Sequence, residues 1–281
     1  VERNIMCRWL AYHGPSIWLE DILFKAEHSL IDQSLSSQSK ETATNGDGFG
    51  VGWYGGRKKP GLFRSIRPAW NDFNLHELAA QTMAPSFLAH VRATSKASVQ
   101  ETNCHPFRYG HWLFVHNGEI EEIEKFRRDL LFAVGPQFFP HVQGTTDSEL
   151  MFYLALTLGL EDDPIGALER MAGFVEKTAA AQQVDQALWM TLGVTDGQRL
   201  FAVRYASDSD APTLYHTADA EHLYRLNKSL RMASPQPIRL IVSEPIGNLA
   251  ESWDEIPQNM AVAFHDGKIE QRPFKPTPPT G

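Results

Sequence analysis

The 281-residue sequence predicts an α+β fold in layers, with strands first, then two central helices, then strands again. Three observations carry this expectation. Four short runs rich in β-branched and aromatic residues, CRWLAYHG (7–14), GFGVGWYGG (48–56), SFLAHVR (86–92) and GHWLFVHNG (110–118), end in glycine or a polar residue, as strands do. Two longer segments, 147–160 and 164–183, carry helix signals. Beyond them the strand-like runs return, without the βαβ alternation of a parallel sheet.

In chain order, 33–48 (QSLSSQSKETATNGDG) lacks apolar periodicity and reads as a loop, while 72–83 and 119–132 read as helices. Thr145 or Thr146 can cap DSELMFYLALTLGL, and Asp147 and Glu149 in its first turn suit the positive end of a helix. Pro164 stands where a helix tolerates proline, opening PIGALERMAGFVEKTAAAQQ. ALWMTLGVTDGQRLFAVRYA folds back as a hairpin around Thr195-Asp196-Gly197, and LYHT, RLIVSEP and MAVAFHDGKIEQRPF are further strands. The final RPFKPTPPTG is rich in proline and reads as an extended, frayed tail. No strong linker and no internal repeat divides the chain.

Composition excludes several classes of function. With 26 basic and 34 acidic residues the net charge is −8, and no long basic run could neutralise phosphates, so no nucleic acid is expected as a partner. No run approaches the ~18 uninterrupted apolar residues of a membrane span. The first residues, VERNIMCRWLAYHGPS, do not read as a secretory signal, so the expectation is a cytoplasmic protein with reduced thiols and no membrane partner. Its two cysteines, Cys7 and Cys104, cannot make a disulfide framework or a four-thiolate zinc site.

Two motifs carry less than their spelling suggests. Gly50-Val51-Gly52-Trp53-Tyr54-Gly55 matches GxGxxG, but these glycines lie in a strand and precede Arg-Lys-Lys-Pro, not a helix, so no dinucleotide cofactor is expected. His90, His105, His111 and His116 crowd one region with Cys104, yet no HxxxH or CxxC spacing supports a metal. They read as histidines hydrogen-bonded near a polar cleft.

The polar residues at strand ends are more informative. Cys7 begins the first strand, Arg92 follows SFLAHV, Asn117-Gly118 follows HWLFVH, and Asp147 opens a helix. Together they supply a thiol nucleophile, a guanidinium fork, an amide with a flexible N–H, and a carboxylate. That is the inventory for attacking the side-chain amide of a bound amino acid.

The segments MCRWLAY, DGFGVGWY, HVRATS, NCHPF, HNGEI and TTDSEL occur in the order and spacing of class II glutamine amidotransferases, and over residues 6 to 265 the chain resembles that family of N-terminal-nucleophile hydrolases. The resemblance implies a four-layer αββα sandwich over 7–265, with 1–6 as a prefix and 266–281 as the end of a strand and a proline-rich tail. It implies Cys7 as the nucleophile, activated by its own α-amine, with the Asn117 amide and the Gly118 N–H as oxyanion donors. Arg92 would grip the substrate α-carboxylate and Asp147 its α-ammonium, with His116 in the substrate-binding set. In Arg92-Ala93-Thr94-Ser95, either the Thr94 or the Ser95 hydroxyl would touch ligand. The polar segment 94–104 would form a lid, and Cys104 would be a buried small side chain. No cofactor or metal is implied.

One departure matters. Six residues, Val1 to Met6, precede Cys7, and with a peptide bond on its nitrogen Cys7 has no basic amine. Met6-Cys7 is what a translation start followed by methionine removal looks like; a propeptide or a vector-derived remnant are the other readings. The partner expected is glutamine or a γ-glutamyl small molecule. The chain has no P-loop and no length left for a synthase, so it would be either a glutaminase passing ammonia to a separate synthase subunit or a hydrolase of γ-glutamyl peptides. A non-catalytic glutamine-binding subunit is the third alternative.

Overall fold

The computed structural model describes residues 7–35, 45–93, 98–217, 238–247 and 252–279. Among the described residues thirteen strands are formed: β1 (Arg8–Trp18), β2 (Phe49–Tyr54), β3 (Gly61–Ser65), β4 (Met83–Val91), β5 (Phe107–Tyr109), β6 (Trp112–Ile120), β7 (Leu188–Thr195), β8 (Leu200–Ala206), β9 (Tyr215–Thr217), β10 (Arg239–Val242), β11 (Trp253–Glu255), β12 (Met260–His265) and β13 (Lys268–Pro273). The α-helices are α1 (Leu19–Leu23), α2 (Leu30–Leu35), α3 (Phe73–Gln81), α4 (Arg127–Phe132), α5 (Asp147–Thr157) and α6 (Pro164–Ala181).

The strands form two antiparallel sheets, one ordered β11-β9-β10-β1-β4-β2-β3 and the other β13-β12-β8-β7-β6-β5. The two-residue period of a strand explains how they stack. On β1, Leu10 and Tyr12 pack with Leu19, Ile22, Leu30 and Leu75 of α1, α2 and α3. The alternate residues, Trp9 and Ala11, pack instead with Leu113 and Val115 of β6 and Ala202 of β8, between the sheets. On the far side Phe114, Leu192 and Val203 meet Leu150, Phe152, Leu168 and Met171 of α5 and α6. The layers are therefore helix, sheet, sheet, helix, the four-layer αββα sandwich that the resemblance implied.

Most elements lie where the sequence placed them. Asp72 caps α3 by accepting from Leu75 N at 2.9 Å, Thr146 caps α5 through Glu149 N at 3.2 Å, and β7 and β8 form the hairpin. β2 runs on to strand β3, not to a helix, so the glycine motif has no phosphate cradle. Four readings change. The loop read as 33–48 begins in helix, since Gln33, Ser34 and Leu35 close α2, and its residues 36–44 lie outside the described residues. The strand read as 7–14 continues to Trp18, with its register against β4 shifted between His13 and Ile17. The helix read as 119–132 resolves into the end of β6, a 3-10 turn and α4, because Glu122 adopts a left-handed φ of 47°. The tail is not frayed where it is described: Phe274 is buried, and Lys275 N and Thr277 N each donate to Glu169 of α6 at 3.0 Å.

Candidate active site

The chemistry-bearing residues collect at one end of the two sheets. Cys7 sits just before β1, whose Arg8 pairs with Val91 of β4, so Cys7 lies against the residues that follow β4. Its half-buried thiol contacts the Ala93 peptide groups on both sides, with Sγ 3.2 Å from Ala93 O and 3.4 Å from Ala93 N. Burial pushes the thiol above its ordinary pKa; the hydrogen bond from Ala93 and the Arg92 guanidinium pull it down, and Asp147 and Asp47 push it up. The charges of Arg92 and Asp147 therefore both bear on Cys7.

Arg92 is buried, and Nη1 donates to the carbonyls of Ser98 at 3.3 Å and Asp47 at 3.5 Å. The backbone beside it is fixed by Arg92 N to Gly48 O at 2.8 Å and Asp47 N to Arg92 O at 3.1 Å.

The second sheet enters through Trp9, two residues past Cys7. Its indole Nε1 donates to Thr191 Oγ1 at 3.1 Å, and a Cβ at Gly193 would come within 2.9 Å of the Trp9 ring, so glycine makes room for the indole. Thr191 is the register partner of Asn117 on β6. Asn117 is only 4% exposed, yet its carboxamide makes no hydrogen bond to the described residues. Next to it Gly118 has φ of +143°, and a Cβ there would run into the Trp189 carbonyl. An Asn-Gly pair most often marks a turn. Here both residues lie inside β6, and the glycine serves the backbone conformation and the close strand.

Asp147 is the first residue of α5 and half-buried. Its Oδ2 accepts from Ile120 N at 2.9 Å and its Oδ1 from Ser148 N at 2.7 Å and Ser148 Oγ at 3.2 Å. These bonds hold the carboxylate beside the strand that carries Asn117 and Gly118, and its remaining lone pairs can accept further donors.

His116 lies on the helix-facing side of β6 and meets Ser148 Oγ through Nδ1 at 2.8 Å. Because Ser148 gives its proton to Asp147, the proton of the neutral imidazole is assigned to Nδ1. Burial lowers its pKa, and Asp147 opposes that shift. His116 thus reaches Asp147 through Ser148, which the sequence reading did not single out. His90 and His105 stack with ring centroids 4.2 Å apart, and none of their ring nitrogens has a partner in the described residues. Burial brings His90 down to about 3 and holds His105 well below its usual range, so both are neutral. His116 is hydrogen-bonded as expected, and the expectation is corrected for His90 and His105, which are buried without ring hydrogen bonds to the described residues. Cys104 is fully buried, and burial raises its thiol to about 11, so it stays an inert thiol.

Thr94 and Ser95 fall outside the described residues, as do residues 1–6. Of the segment read as a lid, 98–104 is anchored: Asn103 donates to Ser98 O at 2.9 Å and accepts from Thr145 N at 2.8 Å. That fastens it to the approach to α5. Arg8 is a further residue missed; it is buried beside Cys7 and held by Glu244 Oε2 and Asn45 Oδ1, both at 2.6 Å.

The model of the family "Glutamine amidotransferases class-II" matches residues 24–280. The chain belongs to the class II glutamine amidotransferases. The probable glutamine amidotransferase DUG3 of Saccharomyces cerevisiae is 32% identical over 304 residues, covering 96% of this chain and 84% of its own. A γ-glutamyl-hercynylcysteine sulfoxide hydrolase of Mycolicibacterium smegmatis is 24% identical over 271 residues, covering 96% of this chain and all of its own length. A glutamine aminotransferase class-II domain protein of Silicibacter pomeroyi superposes with a TM-score of 0.74 at 32% identity, over 96% of this chain and 100% of that one. Membership of this family makes the chain an enzyme of the type that acts on glutamine-type amides. Among the described residues no helix is long and apolar enough to cross a membrane.

Proposed function

We propose that the chain cleaves a γ-glutamyl amide through a thioester on Cys7. The observation that carries this is the Asn117 carboxamide, nearly buried yet without a hydrogen bond to the described residues, adjoining the Gly118 N–H on β6. A carboxamide that makes no hydrogen bond within the fold keeps its N–H donors for a ligand atom. A tetrahedral oxyanion is such an atom.

The steps follow from the groups present. The Cys7 thiolate attacks the γ-carbonyl carbon, and the oxygen gains its charge between Asn117 Nδ2 and Gly118 N. Collapse expels the amine, which takes the proton removed from the thiol, and water then hydrolyses the thioester to free glutamate and thiol. Because burial raises the Cys7 pKa, the step needs a base. The freed α-amine of Cys7 is that base, with an ordinary pKa of roughly 8. Removal of residues 1–6 therefore precedes activity. Arg92 pairs with the substrate α-carboxylate and Asp147 with its α-ammonium, an assignment that admits a free amino-acid head group and turns away glutamine inside a protein. Thr94 or Ser95 contributes a hydroxyl to the same head group.

Two leaving groups fit this site. With ammonia the chain is a glutaminase that supplies a separate synthase subunit; with a peptide amine it is a γ-glutamyl hydrolase. The γ-glutamyl hydrolase from Mycolicibacterium smegmatis, similar over 96% of this chain, favours the second. The test compares turnover of glutamine and of a γ-glutamyl dipeptide by the chain beginning at Cys7 and by the chain with residues 1–6. Turnover confined to the shorter chain is expected, and equal turnover by both would refute the amine as base.

A further inference from the structure

Outside the catalytic residues lies a hollow of about 370 Å³ at the edges of both sheets, where β3 and β5 face the first turns of α5. Lys59, Arg64 and Arg108 line it, and Glu149 is the one carboxylate in the lining. In a chain of net charge −8, three cations around one hollow are a local reversal of sign. No carboxylate of the described residues pairs with any of the three. Glu149 is already occupied, accepting from Gln143 N at 3.1 Å and Gly144 N at 2.6 Å. Arg64 Nη1 donates to Cys104 O at 3.2 Å and Arg108 Nη1 to Pro60 O at 2.9 Å, which aims each guanidinium and leaves other donors unused. Arg64 also depresses the pKa of Arg108, after burial, so the two like charges stand close together. Two guanidiniums held close, with no carboxylate of the described residues paired to either, form a recognition site for one.

The hollow shares a wall with the catalytic end. Phe107 lines it and packs edge-on against His105 at 4.6 Å, and His105 stacks on His90, two residues before Arg92. On the other side, Glu149 lies two residues from Asp147 in the same helical turn.

We propose that this hollow is a carboxylate-binding subsite, and that it receives a free carboxylate on the leaving-group side of the substrate. The second half of this statement rests on the proposed γ-glutamyl hydrolysis. The hollow therefore selects an amino acid or short peptide with a free C-terminus as the leaving group, and gives ammonia no such anchor.

Two measurements separate the halves. In the first, the full chain is titrated with N-acetylglycine and N-acetylglycinamide, followed by ligand-observed NMR. The acid is expected to bind at least about tenfold tighter, the order that charge-assisted hydrogen bonds supply. Arg108→Gln reduces that preference to about twofold or less, and Arg108→Lys, which keeps charge but loses the fork, retains part of it. Equal binding of acid and amide overturns the subsite, as does a preference that survives Arg108→Gln combined with Lys59→Gln. In the second, kcat/KM of the chain beginning at Cys7 is compared for γ-glutamylglycine and γ-glutamylglycinamide, and the same tenfold preference is expected. If neither is turned over while N-acetylglycine still binds with its preference, hydrolysis is refuted and the carboxylate site stands.

Discussion

Replacing Asn117 by alanine separates catalysis from stability more cleanly than any other change at this site. The Asn117 carboxamide makes no hydrogen bond to the described residues, so the substitution breaks none of the fold's bonds and removes a polar group that is almost buried. Its stability cost is then confined to a small loss of packing, about 1 kcal/mol or less. An oxyanion donor, in contrast, contributes to the transition state alone, and losing one costs roughly 10²- to 10³-fold in kcat, about 2.7–4 kcal/mol. The expected pattern is a fall in kcat of that size with little change in KM and a melting temperature within a few degrees of the parent. Steady-state kinetics of γ-glutamyl amide turnover and a thermal melt on the same preparation read both quantities. A kcat within threefold of the parent would show that Asn117 does not face the oxyanion and would sink the assignment.

Three further outcomes follow from the geometry. Gly118→Ala is expected to be strongly destabilised, by several kcal/mol, because φ of +143° strains any side chain and its Cβ meets the Trp189 carbonyl; a normal melt would contradict that backbone. Arg92→Lys keeps the charge but loses the fork, so kcat/KM is expected to fall at least about tenfold, mostly through KM, and an unchanged KM would place the substrate carboxylate elsewhere. His90, His105 and His116 are buried with lowered pKa values, His90 at about 3, so the unfolded chain takes up protons that the folded chain refuses. Stability is therefore full above pH ~6.5 and declines as pH falls below it, by up to about 1.4 kcal/mol per pH unit for each histidine; equal melting temperatures at pH 7 and pH 5 would count against this.

The strands were legible as short apolar runs, but their faces were not: Trp9 and Ala11 bury between the sheets while Leu10 and Tyr12 bury against helices, so β1 is apolar on both faces and shows no alternation in sequence. Helices α1 and α2, of five and six residues, are too short to show a helical period, and their burial comes from the sheet beneath them. β1 continues past Gly14-Pro15, a pair that reads as a stop, because the register shift against β4 takes up the irregularity and Tyr12 Oη donates to Pro15 O at 2.7 Å. At the site, residue types and order were legible, but mutual orientation was not. That His116 turns to Ser148 and not to the sheet interface depends on which face of β6 meets α5. That Trp9 joins Thr191 depends on how two sheets distant in sequence come together. The cationic hollow was invisible for the same reason, since Lys59, Arg64 and Arg108 lie on elements that no single motif links.

The central claim is that Cys7 is a nucleophile awaiting its own amine, and covalent labelling tests it most directly. The chain beginning at Cys7 and the chain carrying Val1 to Met6 are each treated with an electrophilic glutamine analogue, and intact mass and peptide mapping locate the adduct. One adduct per chain at Cys7 is expected in the shorter protein, absent or far slower in the longer one, with Cys104 unmodified in both. Labelling at Cys104, or none at Cys7 once its amine is free, would contradict the account.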